Sequence, residues 1–525
     1  METSIYKPEL PLTDFIEETT RQYLKSLNGE SRKHNGQYFT PASIAKFMAE
    51  MAKYSSESIN LLDPGAGTGI LTAAICDQII KYKKCKYLKI DLYENDNKVI
   101  PFLQKNIGVI EDRLNENGIK TDVNIITEDF IIHNAHLIEE TLFLKKSIHL
   151  YDIIISNPPY FKVSKGSKIS QLMSNIVHGQ PNIYMFFMAL SAVLLKQDGQ
   201  LIFITPRSYC SGLYFKRFRQ WFLNEIKPVH FHSFESRKDT FKSEVLQETI
   251  IIRGIKQINN PLWTKITVSQ NSDFNNSYIL NTKYEQIIFP QDQDKIIHIP
   301  SSKCDLETIK IVKSWGKSFT DLGFRLSTGP VVSFRASKYT EYNTNFDGYT
   351  SAPLIWMNHL KNFQIQYPLK NINKPQVIKI SSNSVSLLLK NKNYVLVKRF
   401  SSKEQKRRIS AYYYSSSRFN TTYIGFENHL NYIWKPLGEL SEIEALGITA
   451  ILNSSLIDRY FRIINGNTQV NASEINSLSF PSYNTIIDIG RKSMHEKRIT
   501  FSLIDSIVFN ELSINDELKE KIDCE

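Results

Sequence analysis

The sequence predicts an α/β protein, with a doubly wound sheet over residues 31–258 and a mixed α+β region over residues 259–525. Three observations lead there. Apolar runs alternate with helix-like segments up to residue 256, the pattern of a largely parallel sheet with helices on both faces. A glycine-rich turn, Asp63-Pro64-Gly65-Ala66-Gly67-Thr68-Gly69, joins the first strand-like run to a helical one, as ligand-binding turns of such sheets do. Beyond Asn259-Asn260-Pro261 the composition shifts towards Asn, Ser, Tyr and Lys.

Residues 1–30 read as a helical lead-in, with Phe15, Ile16, Thr19 and Tyr23 near helical spacing. In Gly36-Gln37-Tyr38-Phe39-Thr40-Pro41, Thr40 reads as an N-cap and Pro41 as the first helical residue, with Ile44, Phe47, Met48 and Met51 behind them. A helix start offers N–H groups and partial positive charge, which suits a carboxylate. A strand from Ile59 enters the glycine turn, and Ile70–Ile80 has helix-like composition. The next strand, Tyr87–Tyr93, ends at Glu94, which lies 25 residues past Gly69. An acidic residue at a spacing of roughly 20 takes ribose hydroxyls in such folds. A third strand, Val123–Thr127, ends in Glu128-Asp129-Phe130, where a carboxylate and a ring can take an adenine amine and cover its face. The fourth, Tyr151–Ile155, runs directly into Ser156-Asn157-Pro158-Pro159-Tyr160.

That last stretch carries chemistry. The lone pair of an amine on an aromatic ring is delocalised, so a catalyst must draw it out of conjugation. The Asn157 side-chain oxygen and the carbonyl of the next residue can accept the two amine hydrogens, and proline there fixes φ and brings no competing N–H. The Tyr160 ring supplies a flat surface for an extruded base. The set points to methyl transfer onto a planar amino group.

Taken in order, Gly36–Pro41, Asp63–Gly69, Glu94, Asp129-Phe130 and Ser156–Tyr160 resemble the gamma class of S-adenosylmethionine-dependent DNA adenine methyltransferases, the TaqI-like architecture of restriction-modification systems. The resemblance covers roughly residues 30–256 by motif. It implies a SAM-methyltransferase (Rossmann-like) sheet followed by a target-recognition domain, S-adenosyl-L-methionine as cofactor, and transfer to N6 of an adenine flipped from double-stranded DNA. By the same resemblance Phe39, Thr40 and Pro41 border the methionine part of the cofactor. Asp63, Gly65, Gly67 and Gly69 form its main loop, Glu94 holds the ribose, and Asp129 with Phe130 the adenine. Asn157, Pro158, Pro159 and Tyr160 become the catalytic set, with Tyr160 and Phe241 against the target base. Downstream, a helix from Pro181 to Leu195, a strand Leu201–Pro206 and a hairpin through Val245–Ile252 continue the likeness. Gly65 stands where many members carry a different small residue. Two rival readings stay open: glutamine or ribosomal RNA methylation by the same tetrapeptide, and a DNA-specificity subunit without catalysis. A cognate restriction endonuclease would act as a separate partner, because no nuclease constellation stands out in the chain.

The remaining segments fit a polyanionic partner. The net charge is +11, and the stretch from Lys398 and Arg399 to Lys406, Arg407 and Arg408 holds six basic residues against one acid, followed by Tyr412-Tyr413-Tyr414. These five named basic residues are the expected phosphate contacts. The polar loop Lys162–Gln180 reads first as a solvated surface loop and second as one that closes over DNA, and Gly329–Arg335 and Gly466–Asn471 read either as polar turns and caps or as loops that reach bases. Ile448–Ile464 and Phe501–Leu518 read as single helices. Five cysteines without CxxC pairs or clustering with His predict a reducing compartment and no metal site. With no signal-like amino terminus and no long apolar span, the expected location is the cytoplasm.

Overall fold

The computed structural model describes residues 10–26, 39–138, 150–235 and 248–524, apart from 165, 175, 177–180, 273, 275–276, 402–404, 467 and 497–498. The chain divides into two compact units, Met1–Ser301 and Ser302–Glu525.

Unit 1 is built on a nine-stranded sheet. Its strands are β1 (Ser58–Pro64), β2 (Tyr87–Tyr93), β3 (Lys120–Ile126), β4 (Tyr151–Ser156), β5 (Leu195–Pro206), β6 (Ile226–Phe234), β7 (Thr249–Lys256), β8 (Trp263–Ser269) and β9 (Tyr278–Lys283), in the order β3-β2-β1-β4-β5-β7-β6-β8-β9. Strands β1 to β5 pair in parallel, and β7 lies antiparallel to both β5 and β6. Central β4 reads Tyr-Asp-Ile-Ile-Ile-Ser because both its faces are covered, so β-branched residues are favoured with little alternation. On one face Leu61, Ile153, Ile155, Ile202 and Ile204 share a core with α1 (Leu12–Ser26), α2 (Ala42–Met51), α3 (Ile70–Tyr82) and α4 (Ile100–Glu116). On α6 (Ile183–Leu194), which follows the short α5 (Phe130–Asn134), every residue is buried. The lead-in helix α1 belongs to this core through Leu12, Phe15 and Ile16. The Leu12 and Thr13 amides donate to the Asp77 carboxylate of α3, at 2.9 and 3.0 Å.

The strand order sets the position of a site. The chain winds outward from β1 through β2 to β3, then returns to place β4 on the other side of β1. Such a reversal opens a crevice at the carboxyl ends of the two strands concerned. Here those ends are Pro64 and Ser156.

Four sequence expectations need correction. The domain boundary lies at Ser301, not at residue 258, because β8 pairs with β6 and β9 with β8, so Asn259-Asn260-Pro261 is a turn within the sheet. Helix α2 begins at Ala42 with Pro41 at its N-cap position, and no side chain caps it; Thr40 lies outside the helix. Ile448–Ile464 is two helices, Glu442–Asn453 and Ser455–Ile464. Ser454 adopts extended backbone and its Oγ accepts the Ile457 N–H at 3.3 Å, a cap that competes with helix continuation. Phe501–Leu518 likewise splits into Phe501–Glu511 and Asp516–Cys524, with Ser513 at φ 52° and Asn515 accepting the Leu518 N–H at 2.9 Å.

Unit 2 combines these helices, among the described residues, with two two-stranded ribbons and two larger sheets. One runs in the order Arg325–Thr328, Leu430–Trp434, Tyr394–Lys398, Ala411–Tyr414; the other is five-stranded around Ser351–Ile355. Among the described residues no helix is long and apolar enough to cross a membrane. Helices Glu442–Asn453 and Tyr483–Met494 meet backbone to backbone: a Cβ on Gly447 would collide with the Ile486 carbonyl, and one on Gly490 with that of Ile443. Elsewhere in a helix Gly→Ala is stabilising by about 1 kcal/mol. Here Gly447→Ala and Gly490→Ala are each expected to destabilise by about 1–3 kcal/mol through overpacking. A raised urea-unfolding midpoint in either variant contradicts the contact.

Candidate active site

The ends of β1 and β4 are joined by a buried hydrogen bond, 2.7 Å from Ser156 Oγ to the Pro64 carbonyl. It holds the glycine loop, which begins at Gly65, beside the tetrapeptide, which begins at Asn157. The loop turns sharply through Gly65, Gly67 and Gly69, at φ 78°, 57° and 88°. These left-handed values favour glycine. The Gly65 and Ala66 amides donate to the Tyr93 carbonyl at 2.9 and 2.8 Å, which ties the loop to the end of β2.

Two acidic residues bear on the loop, and a third caps the next helix. Asp63 is fully buried; its Oδ2 accepts from Thr72 Oγ1 at 2.8 Å, while its Oδ1 has no hydrogen-bond partner among the described residues. Burial pushes its carboxyl up to about 7, the Glu94 charge adds to the rise, and the Thr72 bond opposes it. Glu94 accepts the Gly67 N–H at 2.9 Å and the Asp96 N–H at 2.8 Å, one on each oxygen. Its carboxyl is raised by burial and drawn part of the way back by those amides. Asp129 caps α5 by accepting the Ile131 and Ile132 amides, each at 2.9 Å. Rings complete the wall: Phe130 lies between Tyr93 and Phe187, at centroid distances of 5.0 and 5.2 Å, and a Cβ on Gly67 would sit 3.5 Å from the Phe39 ring.

The tetrapeptide is held in one orientation. Asn157 Nδ2 donates to Thr40 Oγ1 at 3.0 Å, and its Oδ1 lies 2.6 Å from the Tyr160 hydroxyl. That hydroxyl is also 3.0 Å from the Ile204 carbonyl on β5, and the Tyr160 ring meets Tyr184 edge-on at 6.3 Å. Pro158 is buried and Pro159 half-buried. Thr40, expected to border a cofactor, instead orients the Asn157 amide, while the Ala42 amide at the start of α2 donates to Glu17 Oε1 at 3.1 Å. The structure therefore brings together Phe39, Thr40, the loop glycines, Asp63, Glu94, Phe130, Asn157 and Tyr160. Gly36, Gln37, Tyr38, Lys165, Val245 and Phe241 lie outside the described residues.

Several contributors left no motif. Thr20 Oγ1 on α1 is 2.6 Å from Thr68 Oγ1, and Asn106 on α4 donates to the Thr68 carbonyl at 2.8 Å, so two helices brace the loop from behind. In the sequence these residues look like ordinary polar positions on amphipathic helices. Arg207, just past β5, pairs with Glu248 at 3.1 Å, with both side chains buried.

The basic stretch of unit 2 is not the uniform phosphate surface expected. Arg408 is 1% exposed, donates to Ser401 Oγ at 3.0 Å and Asn465 Oδ1 at 3.4 Å, and stacks its guanidinium over Phe461. Arg407 pairs with the buried Asp505 at 2.8 Å. Arg408 is an internal brace and Arg407 a largely covered one, not phosphate contacts; their charge serves the fold, because ionised groups enter an interior only with partners. Lys406 is exposed with its ammonium over Phe501. Arg399 is half-buried, and burial holds the Lys398 ammonium below its ordinary value.

A doubly wound sheet whose glycine loop and Asn-Pro-Pro-Tyr turn meet at the topological switch point defines a methyltransferase of the Rossmann-like class. The sequence profile of the Eco57I restriction-modification methylase family matches residues 43–241. Type II methyltransferase M.BsuBI of Bacillus subtilis is 36% identical over 470 residues, 88% of this chain and 90% of that one. Type II methyltransferase M.PstI of Providencia stuartii is 32% identical over 489 residues, 92% and 94% of the two chains. In fold alone the chain resembles the Type IIL restriction-modification enzyme MmeI, with a TM-score of 0.52 at 11% identity over 97% of this chain and 73% of that one. The chain therefore belongs to the type II DNA methyltransferases of restriction-modification systems.

Two outcomes are expected. The folded state holds the Asp63 proton more tightly than the unfolded chain does, so this group makes stability fall as pH rises from 3.8 to about 7. Asp63→Asn removes that contribution, and its stability-against-pH slope across this window should differ from wild type by up to about one proton in linkage. Identical slopes refute it. Arg408→Ala should destabilise by about 3 kcal/mol or more, since buried charge-assisted hydrogen bonds are lost. Lys406→Ala should leave the unfolding midpoint unchanged.

Proposed function

We propose that the chain transfers a methyl group from S-adenosyl-L-methionine to the exocyclic N6 of an adenine swung out of duplex DNA. The observation that carries this reading is the Asn157 amide, oriented by Thr40 and Tyr160 directly beside the glycine loop. The cofactor, when bound, supplies an electrophilic methyl group on a cationic sulfur. The residues present suit such a group: the buried Oδ1 of Asp63, without a partner among the described residues, and the Glu94 carboxylate on the loop favour a cationic ligand with N–H and O–H donors. Asn157 Oδ1 accepts one amine hydrogen and the Pro158 carbonyl the other, which makes the nitrogen more tetrahedral and turns its lone pair outward. Tyr160, with its hydroxyl fixed at two points, offers its ring face to the base. The order of the motifs supports the gamma class, and a cognate endonuclease acting separately is the partner this reading implies.

The test is methyl transfer from labelled cofactor to unmethylated duplex DNA, to ribosomal RNA and to a release factor, with the modified base identified by mass spectrometry. N6-methyladenine in DNA is expected; N4-methylcytosine overturns the base assignment, and label confined to RNA or protein overturns the substrate. Asn157→Ala should lower turnover by about 10²-fold or more, in line with loss of an electrostatic partner of the reacting group. Its affinity for S-adenosylhomocysteine should stay at the wild-type value.

A further inference from the structure

Two segments of unit 2, 329–331 and 398–401, meet at one turn, Glu427-Asn428-His429, and a third, 468–471, joins them by pairing with Arg399–Ser401. On one side of it Gly329, Val331 and Asn428 are laced together. The Gly329 amide donates to the Leu430 carbonyl at 2.8 Å, the Val331 amide to Phe426 at 3.1 Å, and the Asn428 amide back to Val331 at 2.9 Å. Gly329 crosses so close that a Cβ would collide with the Glu427 carbonyl. On the other side the Arg399 amide donates to the His429 carbonyl at 3.0 Å and Arg399 Nη1 to that of Asn428 at 3.1 Å. The loop after residue 467 then zips along the same strand, with Val470 N–H to the Arg399 carbonyl at 2.8 Å and Ser401 N–H to that of Thr468 at 3.0 Å.

What this frame displays is unusual for a free surface. Phe334 is 75% exposed on the short helix Ser333–Ala336, which starts two residues beyond the buried anchor Val331. The Arg335 guanidinium lies 5.3 Å from its ring centroid. Gln469 and His429 are part-exposed. The segments 329–335, 398–401, 427–429 and 468–471 contain one carboxylate, Glu427, and it is fully buried; of their cations Arg335 is exposed and Lys398 and Arg399 are half-buried. A backbone-laced patch with cations, an amide and a bare ring, and no exposed anion among the described residues of these segments, matches the edge of a nucleic-acid groove.

We infer that this convergence is the surface that reads the DNA target, with Arg335 and Gln469 on base edges, Phe334 against an apolar base group or base step, and Arg399 on phosphate. The inference rests on the proposed function and deepens it. Paired hydrogen bonds suit Arg to guanine and Gln to adenine. Because the three reading side chains hang from one braced turn, their spacing is set before DNA arrives, which reduces the entropy lost on docking.

The test uses the full chain in a host lacking adenine methylation, with methylated sites mapped by single-molecule sequencing. Wild type should mark one motif. Arg335→Ala and Gln469→Ala should each relax one motif position, raising methylation at sites that differ there roughly 5- to 100-fold relative to the cognate site. Arg399→Gln should weaken binding on every sequence and lower the salt slope by about one. Melting temperature and S-adenosylhomocysteine affinity should match wild type in Arg335→Ala and Gln469→Ala, whose side chains are exposed or part-exposed; in Arg399→Gln, which also loses the bond to the Asn428 carbonyl, S-adenosylhomocysteine affinity should match wild type. If the first two variants keep the wild-type motif, or lose methylation evenly at all sites, the assignment is wrong. A wild-type chain that leaves DNA unmodified while binding cofactor overturns the proposed function itself, and this inference with it.

Discussion

The bond between Ser156 and the Pro64 carbonyl is the constraint on which the site depends. It closes the gap between two parallel strands at the point where the winding of the sheet reverses, and there the chain must leave both strands by loops that cannot cross the sheet. One loop is made of left-handed glycines, the other of rigid prolines. Their side-by-side position is a property of topology, and neither loop could impose it on the other from sequence alone.

Around that point the structure uses carboxylates as braces and leaves them poorly neutralised. Glu94 fastens the glycine loop through the Gly67 amide and its own turn through that of Asp96, Asp129 caps a five-residue helix, and Asp63 at the start of the loop has one oxygen without a partner among the described residues. Burial raises Asp63 and Glu94 together, so this region gains from a positive charge. Unit 2 shows the opposite sign: Arg407 and Arg408 are turned inward as braces, and the outward cations sit on a separate, backbone-laced surface.

Much of unit 1 was legible in the chain. Tyr87–Tyr93 and Tyr151–Ser156 are strands because apolar, β-branched runs of that length have few alternatives, and the turn glycines mark positions that other residues resist. The misreadings share a cause. Thr40 looked like a cap but bonds across the site to Asn157; Asn259-Asn260-Pro261 looked like a linker but turns back into the sheet; Ser454 hid a break inside an apolar repeat. Each depends on a partner remote in sequence or on a local competition that composition does not rank.

The sequence by itself determined the class of fold and the order of the motifs that ends at Asn157 and Tyr160, because residue type and short-range spacing dictate strand and turn geometry. Tertiary structure decided which basic residues are buried, that Thr20 and Asn106 support the glycine loop, and that Phe334, Arg399 and Gln469 belong to neighbouring segments of one braced turn. These are outcomes of long-range packing and hydrogen bonding, where the energy of a side chain is set by partners that its sequence neighbourhood does not name.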